Sequence, residues 1–321
     1  MNQPINLEVA RERLSAVVVK ETQSDNYTLP DHPKQLTEMP QGLSLIRDFI
    51  YNRMSYPIPE LAGFMALAVL SAFLQQKVTI NSQKGLGFQN WWLALMGTGF
   101  GKDALRDPFF DLPGEAVHGG IGTAIHSSQA GSKAGLHGLL EDNNSCFLMA
   151  DEFANWVARA EVGGHVSDTL FYAMECYGRT FGKVHPGKVQ HTTYENVDDP
   201  RLSILATSTP DLMFGKMNRE KAAAGAWNRW MMFIGDEELP EIRYDGLVWE
   251  PTQELLDFLE WAHDLQNPEH RKSLIRFSKE GWERYKELNN QHGERIKKSD
   301  GLLGGRIAEQ AIKCMGLWAV G

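Results

Sequence analysis

The feature that most constrains this chain is an apolar segment that leads directly into a glycine-rich turn and then a helical pattern. Residues 91–96 form a short, continuous apolar run of the length of a buried strand. Gly97, Gly99 and Gly101 follow, and Lys102 precedes the helical pattern. Because a glycine turn before a helix N-terminus presents backbone N–H groups to an anion, the segment indicates a phosphate-binding loop.

The loop departs from the usual phosphate-loop pattern at two positions. Met96 stands where the first glycine is usual, and Asp103 stands where a Mg²⁺-ligating Ser or Thr is usual. Gly97 or Gly99 can supply the turn, and Asp103 can hold Mg²⁺ directly or through water. Lys102 would reach the outer phosphates of ATP. An ordinary strand-to-helix turn is the alternative. The residues assigned to ATP binding are Gly97, Thr98, Gly99, Phe100, Gly101, Lys102 and Asp103.

A second apolar run ends in two adjacent carboxylates. Residues 146–150 are apolar, and Asp151 and Glu152 follow them directly. In this pattern Asp151 would hold Mg²⁺ and its water shell, and Glu152 would orient and deprotonate an attacking water. Adjacent acids also occur in plain surface loops, but the position after a Gly-Lys loop favours the catalytic interpretation.

A third apolar run, residues 203–206, ends in the hydroxyl side chains of Thr207 and Ser208. Short apolar runs alternate with helical patterns, such as residues 132–140 and 166–177, which predicts an α/β fold with a mostly parallel sheet covered on both faces. Hydroxyl groups are common at strand ends, so this motif alone is neutral.

The chain divides into three regions by composition. Residues 1–42 contain several prolines among polar residues and predict an extended arm or linker. Residues 43–240 contain two leading helices and the core. Residues 241–321 form a C-terminal helical region, which we expect to be truncated or completed by another element, because its apolar pattern still runs at the end.

Charge and cysteine usage exclude several classes of protein. A net charge of −9 argues against a surface coated with positive charge for DNA, so any DNA contact must be local. Three scattered cysteines indicate neither a disulfide framework nor a zinc site, which favours the reducing cytoplasm. The apolar stretch at 61–74 is shorter than the roughly 20 residues that cross a bilayer, so no membrane partner is expected.

One segment concentrates positive charge in this acidic chain. Residues 179–191 predict a hairpin with Pro186-Gly187 at its tip. Its basic side chains could contact DNA phosphates without reading sequence, although a solvated surface hairpin fits equally well. The histidines lack partners with metal-ligand spacing, so a metal site there is rejected. The candidate DNA-binding residues are Arg179, Lys183, His185, Lys188 and His191.

The order of these motifs resembles a helicase-like, RecA-type P-loop ATPase family of phages, plasmids and integrated elements, often beside or fused to primases and catalogued mainly as a domain of unknown function. The resemblance covers roughly residues 46–320. It rests on the Gly-Lys loop, a helix at 127–140, the Asp151-Glu152 strand, the basic segment at 177–191, and the phrases Asp-Pro-Arg-Leu-Ser-Ile-Leu at 199–205 and Gly-Ala-Trp-Asn-Arg-Trp at 225–230.

The resemblance implies a RecA-like fold and an ATP- and Mg²⁺-dependent motor. Its members would act as homo-oligomeric rings, such as hexamers, on single-stranded DNA without sequence preference, with a primase as a further partner. It implies that Thr207 or Ser208 senses the terminal phosphate. It also implies that Arg229, or failing that Arg306, stabilises transition-state charge in a neighbour's site; a structural ion pair is the alternative for Arg229.

A different class of function remains open beside the motor. Asp103 places a carboxylate near the phosphates, and its repulsion would favour a nucleotide-binding scaffold or assembly ATPase with weak turnover. A small-molecule phosphotransferase ranks last, since no acceptor-site motif is visible.

Overall fold

The computed structural model describes most of the chain after the predicted arm. The described residues are 36–75, 78–80, 86–99, 101–117, 121–127, 131–161, 165–179, 182–185, 195–216, 225–235, 240–246, 250–265, 274–298 and 306–321. Residues 1–35 of the predicted arm lie outside them.

Helices and strands alternate through the central part of the chain. The strands are β1 (Thr79–Ile80), β2 (Leu86–Gly87), β3 (Trp91–Leu95), β4 (Ala124–His126), β5 (Ser145–Ala150), β6 (Lys183–Val184), β7 (Val197–Asp198), β8 (Arg201–Ser208), β9 (Trp230–Ile234) and β10 (Leu274–Ile275). The helices are α1 (Gln41–Arg53), α2 (Pro59–Leu74), α3 (Asp107–Ala116), α4 (Lys133–Asp142), α5 (Phe153–Glu161), α6 (His165–Tyr177), α7 (Pro210–Lys216), α8 (Gln253–Asp264), α9 (Lys279–Lys298) and α10 (Ile307–Val320). Lys102–Leu105 and Trp227–Arg229 form 3-10 turns.

The central sheet has five strands in the order β4-β5-β8-β3-β9. All of its neighbouring strands are parallel. Strand β8 therefore lies between β3 and β5, the strands that precede the glycine loop and the paired carboxylates. The predicted α/β fold with a mostly parallel sheet is confirmed.

Several predicted boundaries change in the structure. The strand predicted at 203–206 is longer, spanning Arg201–Ser208. The helix expected at 127–140 begins only at Lys133, because Ser132 caps it by accepting a hydrogen bond from the Gly135 N–H at 3.1 Å. Strands β4 and β9 were not predicted. β1 pairs with β2 and β10 in a separate three-stranded sheet.

The two faces of the central sheet bury different helices. Alternate residues of β3 point to opposite faces, as the period of a strand requires. Trp92 packs on Phe64 of α2, with ring centroids 5.3 Å apart, in a core shared with α1, α3, α8 and α10. Trp91 packs on Trp230 at 5.1 Å, in a second core with α4 to α7. The leading helices therefore pack on the first strand of the central sheet.

The leading and terminal helices belong to one core. Helix α2 begins with Pro59, where its missing N–H costs no helical bond, and it is buried on nearly every side. The Gly42 N–H donates to the Gly321 carbonyl at 2.7 Å, so the start of α1 meets the end of α10. Among the described helices, none is long and apolar enough to cross a membrane.

Candidate active site

The parallel strands bring the predicted motifs to one side of the sheet. We call the side formed by the strand C-termini the carboxyl edge, and the opposite side the amino edge. At the carboxyl edge the Met96 N–H donates to the Ser208 carbonyl at 3.0 Å, and the Gly235 N–H donates to the Leu95 carbonyl at 2.8 Å. The segments after β3, β8 and β9 therefore leave the sheet side by side.

The glycine loop has the backbone that its sequence predicts. Gly99 and Gly101 have φ angles of +90° and +64°, a region that glycine adopts without a steric penalty. The Ala104 N–H then donates to the Gly101 carbonyl at 3.1 Å, and a 3-10 turn over Lys102–Leu105 leads into α3. Thr98 and Gly99 are exposed. Phe100 and the side chains of Lys102 and Asp103 lie outside the described part of the structure.

A direct contact joins the carboxylate pair to the hydroxyl strand. The buried Thr207 hydroxyl donates to Asp151 Oδ1 at 2.5 Å. The same oxygen accepts from the Glu152 N–H at 2.8 Å. Ser208 is buried next to this contact at the end of β8. Two donors thus fix the Asp151 carboxylate, while its residue stays exposed to solvent at the edge of the sheet.

Glu152 adopts an uncommon backbone conformation. Its φ of +49° lies in the left-handed region, which costs a residue with a side chain about 1–2 kcal/mol. Its exposed carboxylate accepts a hydrogen bond from the Asn155 side chain, with Nδ2–Oε2 at 2.8 Å. Strain of this kind is retained where the surrounding structure requires a particular orientation. Sequence reasoning missed Asn155, although its spacing of three residues places it one helical turn from Glu152.

The donor set at this edge suits Mg²⁺ held together with phosphates. The Asp151 carboxylate is the kind of oxygen ligand that Mg²⁺ prefers, and the Thr207 hydroxyl orients it. Within the described residues no group of three or more His, Cys, Asp or Glu side chains could hold a metal. A Mg²⁺ ion held by this carboxylate would complete its shell with water and substrate phosphates.

The segment between the two leading helices lies beside the glycine loop, which sequence reasoning did not anticipate. The Tyr56 ring borders the loop: a Cβ atom added to Gly101 would lie 3.9 Å from Cδ2 of Tyr56. Arg53 of α1 pairs with Asp111 of α3 at 2.6 Å, and the Arg243 N–H donates to the Ser55 carbonyl at 2.7 Å. Because these contacts join residues far apart in sequence, no local pattern predicts them.

The candidate arginines lie at the amino edge instead. Arg229 immediately precedes β9, and its guanidinium donates to the Gly225 carbonyl and lies 5.9 Å from the Tyr177 ring. Burial, together with the nearby charge of Arg306, lowers the pKa of Arg229 to about 10. Strand β3 separates the two edges by about 17 Å, at ~3.3 Å per residue. Neither arginine therefore serves the glycine loop of its own chain.

The basic segment also lies at the amino edge, and its hairpin differs from the predicted one. The return strand is β7, which pairs antiparallel with β6, well beyond the predicted Pro186-Gly187 tip. Asn144, just before β5, donates its side-chain N–H to the Asp198 carbonyl at 3.0 Å, which locates the hairpin base. The tip, Lys188 and His191 lie outside the described residues.

The described basic side chains of this segment are paired with acidic or polar neighbours. Lys183 Nζ lies 3.0 Å from Asp198 Oδ1, and Arg179 lies 3.8 Å from Glu175. His185 Nδ1 is 2.6 Å from the Asn196 side-chain oxygen. The local positive charge is therefore smaller than the sequence suggests.

Comparison with known proteins adds no relative: no protein-family model and no curated protein sequence matches the chain. The site is therefore interpreted from its own geometry and residue pattern.

Proposed function

We propose that this chain is an ATP-hydrolysing enzyme of the RecA-like P-loop class. The observation that carries the proposal is the 2.5 Å contact between Thr207 and Asp151 at the carboxyl edge. It joins the carboxylate pair to the hydroxyl strand, which are two of the three motifs that the sequence assigns to phosphate chemistry. The third motif, the glycine loop, follows the neighbouring strand β3. Strand β8, which ends in Thr207 and Ser208, is the neighbour of β5, which leads into the carboxylate pair.

Different residues of the chain would bind the phosphates, hold the metal and sense the terminal phosphate. The glycine loop, in which Thr98, Gly99 and Gly101 are exposed, would bind the phosphates through its N–H groups, with Lys102 at the outer phosphates. Asp151, oriented by Thr207, would hold Mg²⁺, with Asp103 as a second ligand. Bound Mg²⁺ would neutralise charge that develops on the phosphate oxygens. Ser208 and Thr207 would sense the terminal phosphate.

Glu152 would take a proton from the attacking water. Its left-handed backbone turns it away from the strand direction, and Asn155 holds one carboxylate oxygen. A general base must lie within hydrogen-bond reach of the water that it activates. Asn155 would therefore act as a positioning residue that restricts the directions open to Glu152.

The motor part of the proposal rests on the amino edge. The β6–β7 hairpin precedes β8 and carries Lys183 at an exposed position. In a homo-oligomeric ring, such as a hexamer, this hairpin would face single-stranded DNA, and Arg229 or Arg306 would contact a neighbour's nucleotide. A primase would be a further partner. An acidic chain can hold DNA in this way because only the pore needs positive charge.

A hydrolysis assay tests the ATPase proposal. The purified chain should hydrolyse ATP with Mg²⁺, and Lys102→Ala should abolish nucleotide binding. Lys286→Ala is the matched control, because Lys286 pairs with Glu283 at 2.9 Å on the exposed side of α9. Equal nucleotide binding by the wild-type chain and Lys102→Ala would remove the assignment.

DNA titrations test the motor proposal separately. Lys183→Ala should weaken single-stranded DNA binding across all sequences and reduce its salt slope by about one. Asp198→Asn should have the opposite effect, because it releases Lys183 from its ion pair. If neither substitution changes DNA binding or DNA-stimulated hydrolysis, the described part of the hairpin is a surface feature.

A nucleotide-binding scaffold is the alternative, and Asp103 is the residue that favours it. A carboxylate beside the phosphates repels them unless Mg²⁺ screens the charge. Asp103→Ser distinguishes the two functions. A large gain in hydrolysis would support the scaffold, whereas a loss would show that Asp103 is an adapted metal ligand.

A further inference from the structure

Three cationic side chains surround one buried tyrosine at the amino edge. Tyr177 is 1% exposed. Lys313 Nζ lies 4.3 Å from its ring centroid, and the guanidinium carbons of Arg306 and Arg229 lie 5.2 and 5.9 Å away. We call these residues, with Glu309, the Tyr177 cluster.

The described residues leave the positive charge of the Tyr177 cluster uncompensated. Glu309 pairs with Arg306 at 2.8 Å and with Lys313 at 3.0 Å, so both cations share one carboxylate. The described contacts of Arg229 are a backbone carbonyl and the Tyr177 ring. Three cations against one carboxylate leave a formal excess of two positive charges. Arg229 and Arg306 are only partly exposed, so water screens this excess charge incompletely and a counter-ion is expected.

Donors without partners point to the same place. Within the described residues, Arg229 Nε and the Tyr177 hydroxyl are buried and have no hydrogen-bond partner. A buried donor without a partner loses its hydration without compensation. The cluster thus offers more hydrogen bonds than the surrounding protein accepts.

Helix α10 begins within the Tyr177 cluster. Arg306 is its N-cap residue and makes no side-chain cap bond, so the first-turn N–H groups add partial positive charge. Solvent reaches this end of the cluster, because the Arg306 and Glu309 side chains are 26% and 22% exposed, whereas Lys313 is 0% exposed. An anion can therefore enter beside Arg306 without unfolding the chain.

We propose that Arg229 and Arg306 bind a phosphate-type oxyanion at the amino edge, as a second anion site distinct from the glycine loop. Guanidinium groups match the oxygens of phosphate with paired N–H donors, and a helix N-terminus favours the same charge. The two sites are separated by the length of β3, about 17 Å at ~3.3 Å per residue. This site does not depend on hydrolysis of ATP.

The bound oxyanion would join two parts of the core. Arg229 precedes β9 of the central sheet, whereas Arg306 is the N-cap of α10. One hydrogen bond already joins these parts, from the Gln310 side chain of α10 to the Asn228 carbonyl at 3.3 Å. One oxyanion between the two guanidinium groups would screen their mutual repulsion. Its binding should therefore raise the melting temperature of the whole chain.

Calorimetric titration with inorganic phosphate tests the proposal in a Lys102→Ala background, which removes the contribution of the glycine loop. We expect phosphate to bind this variant. Arg306→Gln and Arg229→Gln, each added to the same background, should weaken phosphate affinity by about tenfold, the effect of one lost charge-assisted hydrogen bond. Arg284→Gln on α9 is the control for the same change of net charge, since Arg284 pairs locally with Glu287 at 2.5 Å. It should leave phosphate affinity unchanged.

Melting curves keep the test valid if a variant is poorly folded. Arg306 is the more exposed of the two arginines, so Arg306→Gln is the decisive variant, and its melting temperature without phosphate shows whether it is folded. A folded Arg306→Gln that binds phosphate as tightly as its background would overturn the proposal. Phosphate binding that vanishes in Lys102→Ala alone would do the same. A chain that never hydrolyses ATP but binds phosphate through Arg306 would refute the proposed enzyme and leave this site standing.

Discussion

The two edges of the central sheet carry charge in opposite ways. At the carboxyl edge, Asp151 and Glu152 are exposed and lie next to a solvent-facing glycine loop. At the amino edge, Lys313 is fully buried and Arg229 is half-buried in the Tyr177 cluster. An exposed ion pair contributes little to stability, whereas removing one member of a buried pair is strongly destabilising. Under the proposed function, the exposed carboxylates would carry out the chemistry at one edge, while the buried charges at the other edge mainly affect stability.

The largest effect is expected for Lys313→Ala. Lys313 Nζ donates to the Gln89 carbonyl at 2.7 Å and pairs with Glu309, so its loss leaves both groups with fewer partners inside the protein. Removing the donor to a buried carbonyl lowers the free energy of unfolding by about 1–3 kcal/mol, and the cavity left by the truncated side chain adds to this loss. Urea unfolding measures this change.

Lys286→Ala provides the matched comparison for a surface ion pair. It removes an exposed lysine of α9 and should change the free energy of unfolding by less than about 0.5 kcal/mol. Equal losses for Lys313→Ala and Lys286→Ala would break the contrast between buried and exposed charge.

A smaller effect is expected for Thr207→Val, which removes the O–H donor to Asp151 and keeps the side-chain shape. The loss of one hydrogen bond to a charged group should lower the free energy of unfolding by about 1.5 kcal/mol. Mg²⁺ affinity should fall by about 10–100-fold, because Asp151 loses the group that orients it. Mg²⁺ titration of nucleotide binding measures the second effect.

Thr207→Ser should restore most of both properties, because serine retains the hydroxyl. If Thr207→Val binds Mg²⁺ and nucleotide like the wild-type chain, the contact between Thr207 and Asp151 has only a structural role.

The smallest effect concerns acid stability at the amino edge. Burial alone raises the pKa of Glu309, but the charges of Lys313 and Arg306 outweigh it and hold the pKa below the ordinary value of 4.5. A carboxyl with a depressed folded pKa stabilises the fold above its unfolded pKa, and this stability is lost as pH falls through the folded pKa. The free energy of unfolding should therefore decrease as pH falls below about 4.5.

Glu309→Gln isolates this contribution, because glutamine does not titrate. The variant should be less stable at pH 7 and lose less stability on acidification than the wild-type chain. Parallel stability curves for the two proteins below pH 4.5 would exclude Glu309 as a source of acid sensitivity.

The sequence predicted the carboxyl edge much better than the amino edge. Asp151, Glu152, Thr207 and the glycine loop each follow an apolar run, and parallel strands necessarily bring such positions together. Asn155 was missed because its contact with Glu152 depends on how α5 begins. The backbone angle of Glu152 has no sequence signature, since left-handed glutamate is uncommon.

The amino edge could not be predicted because its residues come from distant segments. Tyr177, Arg229 and Arg306 meet only after α6, β9 and α10 have packed. The resemblance pointed to both arginines but not to Lys313 or to Glu309, the carboxylate that Arg306 and Lys313 share. The hairpin was predicted from its Pro186-Gly187 turn, yet its return strand at Val197–Asp198 is too short to give a periodic signal.

The most direct test of the division between the two edges is Glu152→Gln, measured for nucleotide binding, hydrolysis and unfolding together. The amide keeps the size of the side chain and cannot act as a general base, so hydrolysis should fall by about 10²–10⁴-fold. Mg²⁺–ATP should still bind with wild-type affinity, and the free energy of unfolding should stay within about 0.5 kcal/mol of the wild-type value. Wild-type hydrolysis by Glu152→Gln would contradict the assignment of the carboxyl edge as the catalytic site.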